Sequence, residues 1–317
     1  MADVLVVGEL NVDIILTDLG AFPAPGKEVL AGNMEVVLGS SSAICAAGLA
    51  RLGAGVDFVG RVGDDDYGRF VLRELRHLGV NTTWVQVDAT VRTGATLSLV
   101  YEGDRALVTY LGSIAALRAE EVTPDIVTGH RHLHVSSYYL QKNLRAGLPH
   151  LFDRARAQGL TTSLDVGYDP EEDWHREQVL DLLARVDIFL PNEVEARALA
   201  DTEDVEAAAA YLARHVRDWV VVKQGARGAL AVSPRGERVQ VPAFPVPVVD
   251  TTGAGDTFNA GFIYAYVLQK MPIGDALRFA AACAGLSTTG VGGTAAQPTR
   301  AQVEQFLQTV QRQGGAE

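Results

Sequence analysis

Residues 249–258, VDTTGAGDTF, set an aspartate directly after two glycines that flank an alanine, in one short polar run. The run is too glycine-rich for a helix interior and too polar for a core strand. It follows VPAFPVPVVD (241–250), an extended, proline-punctuated approach, and leads into GFIYAYVLQ (261–269), which reads as a helix. A strand-to-helix turn of this kind supplies the first amides of a helix, where free N–H groups and the helix dipole favour negative charge. A carboxylate inside such an anion site suits proton removal beside developing negative charge. Phosphoryl transfer combines the two: the amides of Gly253, Ala254 and Gly255 would stabilise the transferred group, and Asp256 would accept the proton of an attacking hydroxyl. The plain alternative is a strand-to-helix loop with Asp256 as its N-cap.

A second candidate pair is Asn11 and Asp13 in GELNVD (8–13). Strand alternation puts both on one face, where an amide and a carboxylate can together hold vicinal hydroxyls such as a sugar offers. A strand-end Asx turn is the alternative. In NEVEA (192–196), Glu193 and Glu195 are first-turn acids that the helix dipole favours by itself. There is no Walker A sequence, because the pair Gly26-Lys27 is followed by Glu28; a P-loop fold is disfavoured.

The elements that must position these groups alternate along the chain. Near-continuous apolar runs at 4–10, 56–63, 132–138, 161–167, 186–191 and 219–225 read as buried strands. Helical patterns fall at 42–53, 65–79 and from about 143, 176, 192 and 205, with three more around 254–268, 273–288 and 300–311. This alternation builds βαβ units and a parallel sheet covered on both faces. Two segments break the rhythm. GKEVLAGNMEVVLG (26–39) and TGATLSLVYEGDRALVTYLG (93–112) read as strands without intervening helices, the second with a hairpin turn at Gly103-Asp104, and they form a small lid.

The chain has 317 residues, 48% apolar and 21% charged, which is ordinary globular composition. Its net charge of −12, with Lys and Arg scattered singly, offers no basic stripe for nucleic acid. No uninterrupted apolar run is long enough to cross a membrane. The start MADVLVVGELNVD has no basic region and is broken by Gly8 and Glu9, unlike a signal peptide. Cys45 and Cys283 sit among small apolar residues, as reduced thiols of a cytoplasmic protein do.

The run DTTGAGDTFNAG (250–261) resembles the C-terminal signature of the ribokinase-like (pfkB) family of carbohydrate kinases. Further matches follow in order over nearly the whole chain: GELNVD, GLARLGA (48–54), VGRVGDDDYG (59–68), NEVEA and VVVKQGARGAL (220–230). The resemblance implies a ribokinase-like α/β fold: a mostly parallel central sheet, helices on both faces, and a small β lid. It implies one kinase domain over 1–317, with a lid from about 11–39 and 93–112. The implied activity is ATP-dependent phosphorylation of a sugar hydroxyl, with Asp256 as base and Gly253, Ala254 and Gly255 as anion hole. By the same resemblance Asn11, Asp13, Gly39 and Ser40 touch the sugar, and Asn192, Lys223, Gly225 and Gly228 contact ATP. Glu195 organises Mg²⁺ through water, as suits an ion that keeps its waters. Asp250 and Thr252 match positions that give oxygens to a monovalent cation such as K⁺ in many members, with the loop GVGGTAAQ (290–297) completing that site. Partners are the sugar, ATP and, through the lid, a second copy of the chain.

Departures fall in the sugar pocket. The family's Gly-Gly pair reads Gly39-Ser40 in GSSSAI, and Ile44 stands where an Asn usually touches sugar. Where many sugar-acid kinases of the family carry an Arg, this chain has DVGYDPEEDW, with Asp169 near that point. A substrate deoxygenated, substituted or reconfigured at the carbon facing Ile44 is expected, with ribose and fructose poor. A nucleoside kinase on the same scaffold is the nearest alternative, with Tyr101, Tyr110, Tyr138 or Tyr139 stacking a base; a non-catalytic sugar-binding regulator is the other.

Overall fold

The computed structural model describes residues 2–102 and 104–314. In chain order, β1 (Val4–Val7) leads into β2 (Asn11–Thr17), β3 (Asn33–Leu38) and α1 (Ser41–Arg51). Then come β4 (Val56–Gly63), α2 (Asp66–His77), β5 (Asn81–Asp88), β6 (Gly94–Tyr101) and β7 (Asp104–Tyr110). The middle holds α3 (Pro124–Val127), β8 (His132–Val135), α4 (Lys142–Arg145), α5 (Leu148–Ala157) and β9 (Thr161–Leu164). Next are α6 (Arg176–Leu183), β10 (Ile188–Phe189), α7 (Glu193–Ala200), α8 (Val205–Ala213) and β11 (Trp219–Lys223). The chain ends with β12 (Ala229–Val232), β13 (Arg238–Val241), α9 (Ala254–Phe262), α10 (Ile273–Ser287) and α11 (Arg300–Gly314). A π-helical turn, Ile263–Leu268, continues α9.

Nine strands form one sheet in the order β13-β12-β11-β10-β9-β8-β1-β4-β5, parallel except at the β11-β12-β13 edge. Its apolar strands bury both faces, as the near-continuous runs require. Val4 and Val6 of β1 join Phe58 and Val221 in one core, under α1, α2, α9 and α10. Leu5 and Val7 join Leu133 and Phe189 in the other, under α5 to α8.

The second sheet has four strands in the order β3-β2-β6-β7. Its register puts Asp13 opposite Val37 and Thr96, and Thr96 opposite Thr109, so one face of the sheet turns these side chains toward the nine-stranded body. Tyr101 pairs with Asp104 across the expected hairpin turn, although Gly103 itself lies outside the described residues. The structure trims several sequence expectations. Residues 26–32 are irregular, β10 is two residues long, and β5 had no counterpart in the pattern. Residues 242–249 form no strand before the glycine turn, because Pro242, Pro245 and Pro247 cannot donate to a ladder.

Candidate active site

The carboxyl ends of the parallel strands open to one rim. Glu9 follows β1, Ser137 follows β8, Asp165 follows β9, Asn192 follows β10, and Lys223 ends β11. β1 lies between β4 and β8, where the strand order reverses and an open α/β sheet leaves a crevice. The first turn of α9 carries Asp256 to the same rim.

Two cavities meet there. The smaller, about 210 Å³, is lined by Glu9, Asn11, Asp13, Ser40, Ile44 and Ser137, with Arg105 and Thr109 from β7 above them. The larger, about 830 Å³, runs past Asn192, Lys223, Gly225 and Gly228 to an apolar wall of Phe244, Val246 and Ala281. Asp256 and Ser41 line both. A group transferred from a ligand in one cavity to a ligand in the other passes these two side chains.

In the small cavity Asn11 Nδ2 donates to Asp13 Oδ1 at 2.9 Å, so the pair is preassembled within β2 rather than in a turn. Gly39 is what lets them fit: a Cβ there would lie 2.2 Å from Asp13 Oδ1 and 2.5 Å from Asn11 Nδ2. Burial pushes the Asp13 carboxyl up to about 6 despite the bond from Asn11 and the charge of Arg105. Arg105 Nη1 reaches across to Thr252 Oγ1 at 2.8 Å. Ile44 abuts Gly253 and Gly293 and presents only hydrocarbon to the cavity.

At the junction the side chains form a charged cluster. Lys223 Nζ donates to Asp165 Oδ2 at 2.5 Å and to Asn259 Oδ1 at 3.3 Å, and Asn259 Nδ2 donates to the same Asp165 oxygen at 2.6 Å. Burial by itself would raise the Asp165 carboxyl. The Lys223 ammonium, Asn259 and the Gly167 N–H outweigh it and hold the carboxyl below its usual value. Lys223 is raised in turn: burial lowers it, and the Asp165 and Glu195 carboxylates more than compensate. The Lys223 side chain lies against Gly255 of the turn. Asp256 is pushed up to about 7, by burial first and the Asp165 charge second, although it stays partly exposed to the cavities. The Ser41 hydroxyl and the Lys223 ammonium pull the Asp256 carboxyl the other way.

Glu195 and Asn192 make a reciprocal cap on α7: Asn192 donates through N–H and Nδ2, and Glu195 N–H returns to Asn192 Oδ1. Both residues still face the large cavity. Burial and the Asp165 charge raise the Glu195 carboxyl to about 8, against the opposing pull of the Lys223 ammonium. Each of its oxygens keeps a free lone pair. That combination fits a divalent cation held through water. Glu193, in contrast, pairs with Arg227 and stays outside.

The glycine turn departs from expectation at one amide. The Ala254 N–H donates to Thr251 O at 3.2 Å. Among the described residues, the amides of Gly253, Gly255 and Asp256 have no backbone acceptor. Gly253 is the N-cap of α9 in the left-handed conformation, φ 70°, so Asp256 is not the cap. Asp250 takes Thr252 N–H and Oγ–H on Oδ1 and Gly292 N–H on Oδ2, tying the turn to the 290–297 loop. Gly228, at φ 99°, brings the β11–β12 connection against Val241 O, where a Cβ would lie at 2.0 Å.

Sequence reasoning missed Glu9, Ser137, Asp165, Asn259 and Arg105 as parts of the site, along with the apolar cleft wall. One signal was available: Ala281, Ala284, Gly285 and Thr288 repeat at helical spacing as a small-residue stripe that leaves room beside α10. Tyr138 and Tyr139 are buried in an aromatic cluster with Trp174, and Tyr101 packs on Phe22. Among the described residues, no aromatic side chain lines the small cavity.

Residues 1–300 match the model described as pfkB family carbohydrate kinase. The ribokinase of Bacillus subtilis (strain 168) is 31% identical, over 97% of this chain and 100% of its own length. The 5-dehydro-2-deoxygluconokinase of Geobacillus kaustophilus is 30% identical, over 96% of this chain and 93% of its own. A crystal structure of a putative ribokinase II from E. coli in complex with ATP and Mg²⁺ superimposes with TM-score 0.84 at 25% identity, covering 98% of this chain and 100% of that one.

Proposed function

The chain belongs to the pfkB family of carbohydrate kinases, phosphotransferases with an alcohol acceptor, and we propose that it moves the γ-phosphoryl group of ATP to a hydroxymethyl group of a deoxygenated or otherwise modified sugar. The observation that carries this reading is the meeting of a small polar cavity and a large apolar-walled cleft at Asp256. ATP occupies the cleft, its base against Phe244 and Val246 and its phosphates beside Asn192, Lys223, Gly225 and Gly228. The sugar lies in the smaller cavity with two hydroxyls on Asn11 and Asp13 and its backbone contact at Gly39 and Ser40. Asp256 takes the acceptor proton as the sugar oxygen forms its bond to Pγ and the bond from Pγ to the β-phosphate oxygen breaks. The free amides of Gly253, Gly255 and Asp256, with the α9 dipole and Lys223 beside them, stabilise the transferred charge. Mg²⁺, when bound, neutralises phosphate charge, and Glu195 with Asn192 would hold its waters.

A base that must be ionised ties rate to pH. With Asp256 near 7, kcat/KM for the sugar should fall about tenfold per pH unit below that value and level off above it. A profile that stays flat between about pH 5.5 and 8.5 would contradict this role.

The cavity walls bear on the substrate. The small cavity, at about 210 Å³, is below the roughly 300–1,000 Å³ of drug-sized sites, which suits a monosaccharide, and among the described residues its lining offers no aromatic surface on which a nucleoside base would stack. A sugar hydroxyl facing Ile44 goes unpaired, at a loss of roughly 1–3 kcal/mol, or about one to two powers of ten in kcat/KM. An anionic group on the sugar would meet Arg105. Relatives named 5-dehydro-2-deoxygluconokinase have a name that denotes a deoxygenated sugar acid, in keeping with both walls. The test is ADP release across pentoses, hexoses, deoxy sugars, sugar acids and nucleosides. Deoxy sugars or sugar acids should lead; ribose, fructose or adenosine at the head of the ranking would sink the reading.

The four-stranded sheet acts as the lid, latched by Arg105 on Thr252. Its outer face carries the apolar row Val36, Ile14, Leu97 and Val108 across all four strands, which suits pairing with a second copy. A single-chain mass in solution would remove that pairing. Asp250, Thr252 and the 290–297 loop would hold K⁺, and unchanged rates on replacing K⁺ with tetramethylammonium would remove the ion. Among the described residues no helix is long and apolar enough to cross a membrane, and the free, buried Cys45 and Cys283 suit the cytoplasm.

A further inference from the structure

The small cavity has a second polar wall that phosphoryl transfer leaves unused. Glu9, directly after β1, is 3% exposed, yet its bonding partners are hydroxyls and one amide. Oε1 accepts Ser137 Oγ–H at 2.9 Å and Ser42 N–H at 3.2 Å, and Oε2 accepts Ser42 Oγ–H at 2.5 Å. Ser40 Oγ lies 2.6 Å from the Glu9 carbonyl oxygen and 3.1 Å from Oε1, and it accepts the Ala43 N–H at 2.9 Å. A serine hydroxyl has one proton. Ser40 and Ser137, two of the four serines that line the cavity, therefore spend theirs on Glu9, and each keeps only oxygen lone pairs toward the cavity.

The backbone at these serines is under strain. Ser40 sits at φ 76°, ψ 122°, outside even the left-handed helical region, where glycine alone is at ease. Ser137 has φ 53°. Strained residues persist where their surroundings over-determine them, and they gather at sites of function. Here two of them converge on one buried carboxylate at the crevice of the sheet.

We propose that Glu9 locks Ser40 and Ser137 as hydrogen-bond acceptors, so that this wall selects a substrate presenting a hydroxyl or amino hydrogen and rejects one presenting a carbonyl or carboxylate oxygen there. The inference rests on the sugar-kinase reading and adds an orientation to it. An acidic or keto group of the substrate turns toward Arg105, and a donor group turns toward Glu9.

Two variants test it, with matched aldoses, their keto and deoxy analogues and amino sugars as probes, MgATP saturating and ADP release as readout. In Glu9→Met no carboxylate accepts the Ser137 proton, which then turns to the cavity, while Ser40 keeps its bond to the residue 9 carbonyl oxygen. KM for the best hydroxyl substrate should rise roughly ten- to a hundredfold with kcat little changed, and discrimination against the keto analogue should shrink by about the same factor. Ser40→Gly relieves the backbone and should raise Tm while relaxing the same discrimination. Loss of a mere helix cap to glycine would lower Tm slightly and leave the ranking alone. An unchanged ranking in a folded Glu9→Met enzyme, or a lower Tm with an unchanged ranking in Ser40→Gly, overturns the proposal. Failure of the unaltered enzyme to phosphorylate any sugar overturns the sugar-kinase reading and this inference together; turnover with an unchanged ranking overturns only the inference.

Discussion

Asp256→Asn is expected to lower kcat by roughly 10²–10⁴ with KM for both substrates nearly unchanged, the signature of losing a general base. The amide keeps the shape of the carboxylate, so both cavities should keep their form. Stability supplies an independent check. The Asp256 carboxyl is raised to about 7 in the fold, above its value in an unfolded chain, so the folded state binds the proton more tightly. Its penalty on stability therefore grows as pH rises through the acid range and is complete above about 7. Asparagine removes that penalty, so the variant should gain more in Tm at pH 8 than at pH 5. Near-normal turnover would remove Asp256 as the base. A rise in KM with kcat intact would reduce it to a binding group.

Lys223→Met is expected to have the largest effect on the fold. Both members of the Lys223–Asp165 pair are buried, with side-chain exposures of 13% and 6%. Removing the ammonium leaves the Asp165 carboxylate in a polar pocket that also holds Glu195 and Asp256. Breaking such a pair costs about 3–5 kcal/mol, because one charge stays buried without compensation. Asp165→Asn, which strands the ammonium instead, should cost less, since Glu195 and Asp256 remain beside it. The double variant should recover part of the loss, and chemical denaturation of all four proteins gives the coupling directly. Additive losses in the cycle would mean that the two residues act separately. Lys223 also lowers the proton affinity of Asp256. Any activity left in Lys223→Met should then show its pH midpoint displaced upward.

Much of this architecture was readable from residue order, because the relevant rules act over a few positions. Apolar runs read at 4–10, 56–63 and 219–225 hold the strands Val4–Val7, Val56–Gly63 and Trp219–Lys223 of one sheet, since burial on both faces is a local property of a strand. Asn11 and Asp13 share a face because they are two residues apart in an extended chain. Asn192 and Glu195 cap one helix because they are three apart. The run from Asp250 to Asn259 carries its own turn, cap and helix start, so the place of Asp256 at a helix N-terminus follows from spacing alone.

The rest depended on distances between residues far apart in the chain. Asp165 and Lys223 are 58 positions apart, and Glu9 and Ser137 are 128 apart. No periodicity links them; they meet because parallel strands deliver their carboxyl ends to one rim. Arg105 reaches Thr252 only when the four-stranded sheet lies over that rim. The tyrosines show the converse: Tyr138 and Tyr139 stand next to Ser137 in sequence, yet packing against Trp174 takes them away from the cavity. Proton affinities belong to the same class. An aspartate in a sequence is an ordinary acid, and Asp256 becomes a group poised near 7 only once burial and Asp165 surround it. The order of residues determined which groups are present and how each is presented on its own element. The packing of distant elements decided which of them share a field, because desolvation and charge coupling depend on separation in space.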